Sequence, residues 1–318
     1  MGTGGTIVIA GEALIDLVAR DGGDLRPHAG GGPFNAARAA ARLGAPVSYL
    51  GRLSTDRFGA GLRAALADDG VALDHVVATA EPTTLALAEV AADGSATYRF
   101  YVEGTSAPGL TEDDVAEVLA AGPSMLCVGT LGLVFEPSAQ TLERLVAAAG
   151  DDVLVAVDPN VRAAAIADEV GFRARLERIL SRADLIKASA DDLAWLHPEA
   201  GPAEAMRLLL ANGAARAGVV TLGSDGARVV PRSGEDVAVL APPVQVVDTI
   251  GAGDAFLGGL LSWWHRTGLS RADLADTAQV IEAARFACRV AALTCSRPGA
   301  DPPDLSDLQP STNPPKGA

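Results

Sequence analysis

The feature that most constrains the fold is an alternation of short apolar runs with longer helical stretches. Apolar strands separated by helices are typical of a parallel sheet covered on both faces. The predicted strands are Thr6–Ala10, Val47–Leu50, Ser124–Val128, Val153–Val157, Asp184–Lys187 and Gly218–Leu222. The predicted helices are Pro33–Leu43, Pro137–Ala149, Phe172–Ser181, Ala203–Ala211, Ala252–Trp264 and Asp273–Leu293. We therefore expect an α/β fold with a mostly parallel central sheet.

Two segments break this alternation. The β-rich runs Thr84–Val90 and Ala96–Val102 flank Asp93-Gly94, a hairpin turn signal, and Leu14–Val18 adds a further β-rich run. We interpret residues 14–30 and 83–105 as a small β-sheet, called the lid below. The α/β domain then comprises residues 1–13, 31–82 and 106–303, and the Pro- and Asp-rich tail 304–318 is predicted to be disordered.

Composition excludes several classes of protein. The formal net charge of −15 offers no basic face for nucleic acid. No run of about 18 apolar residues is free of charges, and the small polar start shows no secretory signal, so we expect no membrane contact and a cytoplasmic location. Three cysteines fit free thiols in a reducing compartment. With only Lys187 and Lys316, the chain has no Walker A motif.

The strongest local signal is the turn Asp248-Thr249-Ile250-Gly251-Ala252-Gly253-Asp254, which follows the β-rich run Val244–Val247 and opens a helix. Exposed amides and the positive dipole end at a helix N-terminus favour a bound anion. A carboxylate at Asp254 would repel a phosphate unless it accepts the proton of an attacking hydroxyl. The alternative is that Asp254 is simply an acid in a first helical turn.

A second glycine-rich segment, Gly30-Gly31-Gly32-Pro33-Phe34-Asn35, opens another predicted helix. The glycines permit close approach of the backbone to a ligand, and Asn35 offers both a donor and an acceptor. From the residues alone, an ordinary glycine-rich loop before a helix fits equally well.

Together these segments resemble the two signatures of the ribokinase-like (PfkB) carbohydrate kinases, in the version common among fructokinases. The resemblance implies a three-layer ribokinase-like sandwich with a β-sheet lid. It implies that Asp254 is the catalytic base, and that the amides of Gly251, Ala252 and Gly253 form an anion hole. It also implies sugar contacts from six residues: Asp16, Gly30, Gly31, Asn35, Tyr101 and Arg162.

The same resemblance implies ATP as co-substrate and Mg²⁺ as cofactor, with possible activation by K⁺. The implied nucleotide-binding residues are Thr221, Gly223, Ser224, Gly226, Cys288 and Lys187. A thiol hydrogen-bonds weakly, so Cys288 leaves the base preference of the nucleotide open. Asp192 would organise Mg²⁺ through water. The implied monovalent-cation loop uses Asp248, Ile250, Thr294 and Gly299.

The sequence constrains the identity of the sugar that accepts the phosphoryl group less tightly. Val102 and Glu103 stand where related sugar-acid kinases carry an arginine, so a neutral ketohexose such as fructose is preferred over 2-keto-3-deoxygluconate, and ribose and nucleosides stay open. A catalytically silent sugar-binding protein is the alternative of a different class. A nicotinamide enzyme ranks last, because no Gly-x-Gly-x-x-Gly follows the first strand. The apolar alternation in the lid, with family analogy, predicts a homodimer joined through lid strands.

Overall fold

The computed structural model describes residues 5–19, 24–90 and 96–308. Its strands are β1 (Ile7–Ala10), β2 (Leu14–Ala19), β3 (Leu25–Gly30), β4 (Val47–Ser54), β5 (Val76–Thr79), β6 (Leu85–Val90), β7 (Ala96–Tyr101), β8 (Met125–Gly129), β9 (Leu154–Asp158), β10 (Leu185–Ser189), β11 (Ala217–Thr221), β12 (Ala227–Pro231) and β13 (Val237–Val239). Its helices are α1 (Gly32–Arg42), α2 (Arg57–Asp68), α3 (Glu112–Val115), α4 (Ser138–Ala148), α5 (Glu169–Leu180), α6 (Ala190–Leu196), α7 (Pro202–Asn212), α8 (Ala252–Arg266) and α9 (Thr277–Cys295).

The central sheet has nine strands in the order β13-β12-β11-β10-β9-β8-β1-β4-β5. The seven strands from β11 to β5 pair in parallel, and β12 and β13 add an antiparallel edge. Each strand is short and apolar because both of its faces are covered. Ile7 and Ile9 of β1 belong to one core with α1, α8 and α9, whereas Val8 and Ala10 belong to the opposite core with α4, α5 and α7. The predicted three-layer α/β fold is confirmed.

The lid is a separate sheet of four strands in the order β3-β2-β6-β7. Its strands come from the two segments assigned to the lid. Leu14, Asp16 and Val18 of β2 point to one face, and Ile15 and Leu17 point to the other, as the period of two requires. The predicted hairpin turn at Asp93-Gly94 lies outside the described residues.

Two expectations from the sequence were wrong. Val244–Val247 forms no strand: the backbone from Leu240 to Ile250 is irregular, and Val246 is 61% exposed. The tail was predicted to be disordered from residue 304, but Leu305–Leu308 forms a 3-10 turn whose Leu308 packs on α1 and α9. Composition alone did not reveal that Leu308 has an apolar site to fill. Residues 309–318 lie outside the described part of the chain.

Candidate active site

The carboxyl ends of the parallel strands meet at one edge of the central sheet, where open α/β sheets bind their ligands. Two non-glycine residues with positive φ stand there: Thr130, directly after β8, at φ 56°, and Asn160, just beyond β9, at φ 38°. Both lie against Gly32, whose Cβ, if present, would be 2.7 Å from Thr130 Oγ1 and 3.3 Å from Asn160 Nδ2. Strained backbone of this kind persists where the surrounding structure holds it, often at functional sites.

The turn at residues 248–254 leads into α8 through Gly251, which has a left-handed φ of 73°. A Cβ at Gly251 would lie 2.6 Å from the Cβ of Ala300, so both conformation and space require glycine. The amide of Ala252 donates to Thr249 O at 3.3 Å. Within the described residues, the amides of Gly251 and Gly253 have no backbone acceptor and so remain available for an anion.

Asp254 lies in the first turn of α8, and its Oδ2 accepts a hydrogen bond from Asn35 Nδ2 at 2.9 Å. This contact joins the two glycine-rich motifs across 219 residues of sequence. Burial raises the pKa of Asp254, and the hydrogen bond from Asn35, together with the nearby charges of Lys187 and Arg162, opposes that rise. The Oδ1 of Asn35 is buried without a partner among the described groups, so it can accept from a bound hydroxyl.

Asp16 of the lid faces the same site. Its pKa rises to about 6, mainly through burial and secondly through the negative charge of Asp254, and the positive charge of Arg162 opposes the rise. A Cβ on Gly30 would lie 2.0 Å from Asp16 Oδ2. Gly31 has φ 110°, and a Cβ there would lie 2.5 Å from the carbonyl oxygen of Glu12. These two glycines therefore let the lid carboxylate and the start of α1 approach each other.

The structure places Tyr101 away from this cleft. The strand register pairs Tyr101 with Leu85, which pairs with Ile15, so all three lie on the lid face opposite Asp16. Tyr98 lies on the Asp16 face instead, in register with Ala88. Burial raises the pKa of Tyr98 most, and the charge of Asp16 adds to that rise. Tyr98 is therefore the lid tyrosine that can reach the site.

Lys187 lies next to the glycine-rich turn before α8, and it does not line the cleft that the other predicted nucleotide residues form. Its ammonium is buried and donates to Asp158 Oδ2 at 2.7 Å, and a Cβ on Gly253 would lie 3.5 Å from Nζ. Burial lowers the pKa of Lys187, but the carboxylates of Asp158, Asp192 and Asp254 outweigh burial and leave that pKa raised. The side chain therefore stays positively charged beside the glycine-rich turn.

Five of the six predicted nucleotide residues, all except Lys187, line one cleft of about 1040 Å³. Thr221 ends β11, Gly223, Ser224 and Gly226 follow it, and Cys288 of α9 contributes the thiol. The cleft reaches Ala252 and Gly253, so it ends at the anion hole. Its other walls come from residues that sequence reasoning had not assigned, among them Pro242, Pro243, Val246, Phe256, Ala292 and Cys295. The irregular conformation of residues 240–250 is what exposes the first three of these to the cleft.

Both carboxylate oxygens of Asp192 accept hydrogen bonds from protein donors. Its Oδ2 accepts from the amide and hydroxyl of Ser189, both at 2.7 Å, and its Oδ1 accepts from the amide of Val161 at 2.7 Å. The first two contacts cap α6, and the third holds the loop after β9 that carries Asn160. Within the described residues no cluster of three or more metal-ligating side chains occurs.

Three residues of the predicted monovalent-cation loop, Asp248, Ile250 and Gly299, are joined by direct contacts, and the fourth, Thr294, lies near them. Gly299 N donates to Asp248 Oδ2 at 2.9 Å, and Ile250 N donates to Asp248 Oδ1 at 3.0 Å. The backbone amide of Val247 reaches the end of α9 by donating to Cys295 O at 2.8 Å, next to Thr294. Two segments distant in sequence therefore form one loop cluster beside the anion hole.

Sequence reasoning missed Glu12 and Thr130. Glu12 is 2% exposed, and both of its carboxylate oxygens accept backbone amide hydrogens at the site. A charged residue directly after an apolar strand was a visible signal, because such positions lie at the ligand edge of a parallel sheet. Thr130 carried no such signal, since its positive φ is visible only in the folded chain.

An open α/β sheet, free backbone amides at a helix start, a buried carboxylate beside them and a separate β-sheet lid are typical of phosphotransferases that act on a small hydroxylated acceptor. Residues 5–307 match the pfkB family carbohydrate kinase. The chain belongs to this family, and the predictions of the family and of an ATP-dependent sugar kinase are confirmed. No helix within residues 5–19, 24–90 and 96–308 combines the length and apolar character needed to cross a bilayer.

Similar proteins include a fructokinase of Rhizobium leguminosarum bv. trifolii, 34% identical over 80% of this chain and 78% of that protein. Fructokinase-1 of Zea mays is 32% identical over 95% of each chain. Among solved structures, the fructokinase of Xylella fastidiosa with bound ATP has a TM-score of 0.84 at 30% identity and covers 93% of each chain.

Proposed function

We propose that this protein is a fructokinase, which transfers the γ-phosphoryl group of ATP to a hydroxyl of fructose. The observation that carries the proposal is the hydrogen bond from Asn35 to Asp254, next to the free amides of Gly251 and Gly253. It supports a site in which the amide of Asn35 binds the sugar, Asp254 acts as the base and the two backbone amides bind the transferring phosphoryl group. The names of the relatives, fructokinases from bacteria and plants, support fructose as the acceptor.

In this mechanism the acceptor hydroxyl lies between Asn35 and Asp16 and donates to Asp254. Asp254 takes the hydroxyl proton as the sugar oxygen forms its bond to the γ-phosphorus, and the bond from that phosphorus to the β-γ bridging oxygen breaks to release ADP. The amides of Gly251 and Gly253 and the ammonium of Lys187 stabilise the negative charge on the transferring group. The raised pKa of Asp254 makes it a better proton acceptor than an exposed aspartate.

We also propose that this chain uses Mg²⁺ as cofactor and is activated by K⁺. Hydrated Mg²⁺ typically binds one or two carboxylates and substrate phosphates, and it would neutralise phosphate charge when bound. Asp158 fits such an ion, because its buried Oδ1 has no partner among the described groups, and Asp192 would act through water. For K⁺, the contacts among Asp248, Ile250 and Gly299 hold a loop whose carbonyl oxygens suit a monovalent ion.

A coupled assay of ADP release over a panel of acceptors tests the function, run with Mg²⁺ and with either K⁺ or Na⁺. The panel contains fructose, ribose, 2-keto-3-deoxygluconate and a nucleoside, and we expect the highest kcat/KM with fructose. A higher value for another acceptor would reassign the substrate. Sugar binding without ADP release would favour the catalytically silent alternative.

We also propose that the protein is a cytoplasmic homodimer joined through the lid. The lid face opposite Asp16 carries Ile15, Leu17, Leu85, Leu87 and Tyr101, and Tyr101 is 49% exposed. Light scattering is expected to give twice the chain mass, and Leu17→Asp is expected to shift that mass toward the monomer. A monomeric mass for the unmodified chain at micromolar concentration contradicts the dimer. The free thiols suit a reducing compartment.

A further inference from the structure

Glu12 has no role in the proposed mechanism, but its carboxyl contacts two segments that form the acceptor site. It follows β1 and precedes the first lid strand, so the chain enters the lid through it. Glu12 Oε1 accepts from the amide of Gly32 at 3.2 Å, and Oε2 accepts from the amide of Gly132 at 2.9 Å. One side chain therefore holds two segments that are otherwise separated by about a hundred residues of sequence.

Three glycines lie where the chain around Glu12 is closely packed. A Cβ on Gly31 would lie 2.5 Å from the Glu12 carbonyl oxygen, and a Cβ on Gly132 would lie 3.1 Å from the Cα of Gly11. Gly11 itself has φ 146°, and a Cβ there would lie 2.5 Å from Pro33 Cγ. These glycines thus let the chain around Glu12 approach the start of α1 and the turn after β8 closely.

The two segments that Glu12 holds carry acceptor-site groups. Gly32 is the first residue of α1, which presents Asn35 to Asp254 one turn later. Gly132 lies in the turn that begins with the strained Thr130, whose hydroxyl packs against Gly32. A shift of either amide would move Asn35 or Thr130 relative to Asp254.

Glu12 is not held by a cation. None of the ion pairs among the described residues includes it, and two backbone amides are its hydrogen-bond donors. Burial raises the pKa of Glu12 to about 8, and the charge of Asp254 contributes to the rise. The raised pKa limits the negative charge that Glu12 adds next to the site of phosphoryl transfer. A buried carboxyl without a charged partner is costly to retain for stability alone.

We propose that Glu12 is a positioning residue for the sugar: its carboxyl fixes Gly32 and Gly132, so that Asn35 and Thr130 keep the wall of the acceptor site in place. This inference rests on the proposed sugar kinase function. Glu12 takes no part in proton transfer, and it does not line the proposed nucleotide cleft.

The test is steady-state kinetics of the full chain with fructose and ATP varied separately, for Glu12→Gln and Glu12→Ala. Gln keeps one acceptor oxygen and Ala keeps none, so we expect the KM for fructose to rise several-fold in the first variant and more than tenfold in the second. The KM for ATP is expected to stay within about twofold. Glu12→Gln has nearly the same volume as the native residue, so it keeps the test usable where Glu12→Ala does not fold.

Asp184→Asn is the matched control, because Asp184 is also a fully buried carboxylate but lies at the amino end of β10, away from the site. It is expected to lower the melting temperature without changing either KM. Equal changes in both KM values for the Glu12 variants, or no change, would overturn the proposal. Absence of sugar-dependent ADP release in the unmodified chain would instead refute the function on which it rests.

Discussion

At the scale of single residues, the chemistry depends on carboxylates that the fold places close together. Asp16, Asp158 and Asp254 all have a raised pKa, and in each case burial is the largest cause. Lys187 is the only lysine among the described residues, and it lies within this acidic group. A phosphoryl group entering such a site needs the amides of the glycine-rich turn and this one ammonium to offset the repulsion.

Asp254→Asn removes the proposed base while it preserves the shape of the side chain. We expect kcat to fall by roughly two to four decades, the range for loss of a general base, with little change in melting temperature. Steady-state ADP release measures the effect. The control is Asp68→Asn, an exposed carboxylate at the end of α2, which is expected to leave kcat unchanged. A kcat within tenfold of the unmodified enzyme would remove Asp254 from the mechanism.

Lys187→Met breaks the buried pair with Asp158. Removing one partner of a buried ion pair costs about 3–5 kcal/mol of stability, because the other charge is left unpaired. Adding Asp158→Asn is expected to restore most of the free energy of unfolding in urea, since neither charge then remains. The double variant is expected to keep a kcat about 100-fold or more below normal, because the phosphoryl group has lost a cation and the proposed Mg²⁺ site has lost Asp158. Recovery of kcat together with stability would limit Lys187 to a structural role.

At the scale of elements, the contact between α1 and α8 decides whether the two motifs meet. A Cβ on Gly258 of α8 would lie 2.6 Å from Ala36 O and 2.7 Å from Ala39 Cβ of α1. The helices therefore pack with almost no side chain between them at that point. This close approach is what allows Asn35 of α1 to reach Asp254 of α8.

Gly258→Ala tests this packing. Because backbone lies in the way, we expect the helices to move apart, with a loss of about 1–3 kcal/mol in the free energy of unfolding and a lower kcat. Gly61→Ala is the matched control, because Gly61 lies in α2 and a Cβ added there would meet nothing within 4 Å. This control is expected to raise stability by roughly 0.5–1 kcal/mol through the better helix propensity of Ala. Equal effects of the two substitutions in urea denaturation would contradict the packing argument.

At the scale of the whole molecule, burial of Glu12 makes stability depend on pH. The pKa of Glu12 is about 8 in the folded chain, against an ordinary value of 4.5 when exposed, so the folded state holds the proton more tightly. Its contribution to stability is complete below about pH 4.5 and is lost as the pH rises through 8. Asp16 and Asp158, with pKa values of about 6, act in the same direction at lower pH.

We therefore expect the free energy of unfolding to fall between pH 6 and pH 9, and Glu12→Gln to reduce that slope. Urea denaturation across this range measures both slopes. The control is Glu282→Gln, an exposed residue of α9, which is expected to leave the slope unchanged. An identical slope in Glu12→Gln would show that Glu12 does not ionise over this range.

The sequence by itself determined the class of fold, and it pointed to most of the groups that we propose carry the chemistry. Alternating apolar runs and helical stretches predict a covered parallel sheet, and the turn before α8 predicts an anion site, because both signals depend on neighbours within a few residues. The sequence did not predict strands β12 and β13 or the irregular backbone of residues 240–250. Their conformation depends on what lies beside them in the folded chain.

Only the tertiary structure decided which groups meet. The pairing of Asn35 with Asp254, the partner of Lys187, the face of the lid that carries Tyr101 and the two amides held by Glu12 all join segments far apart in sequence. Such contacts are set by helix packing and strand register, and a single methyl group at Gly258 is enough to disturb them. Local sequence encodes the turn and the helix start, but the distance between a base and its substrate is a property of the packed core.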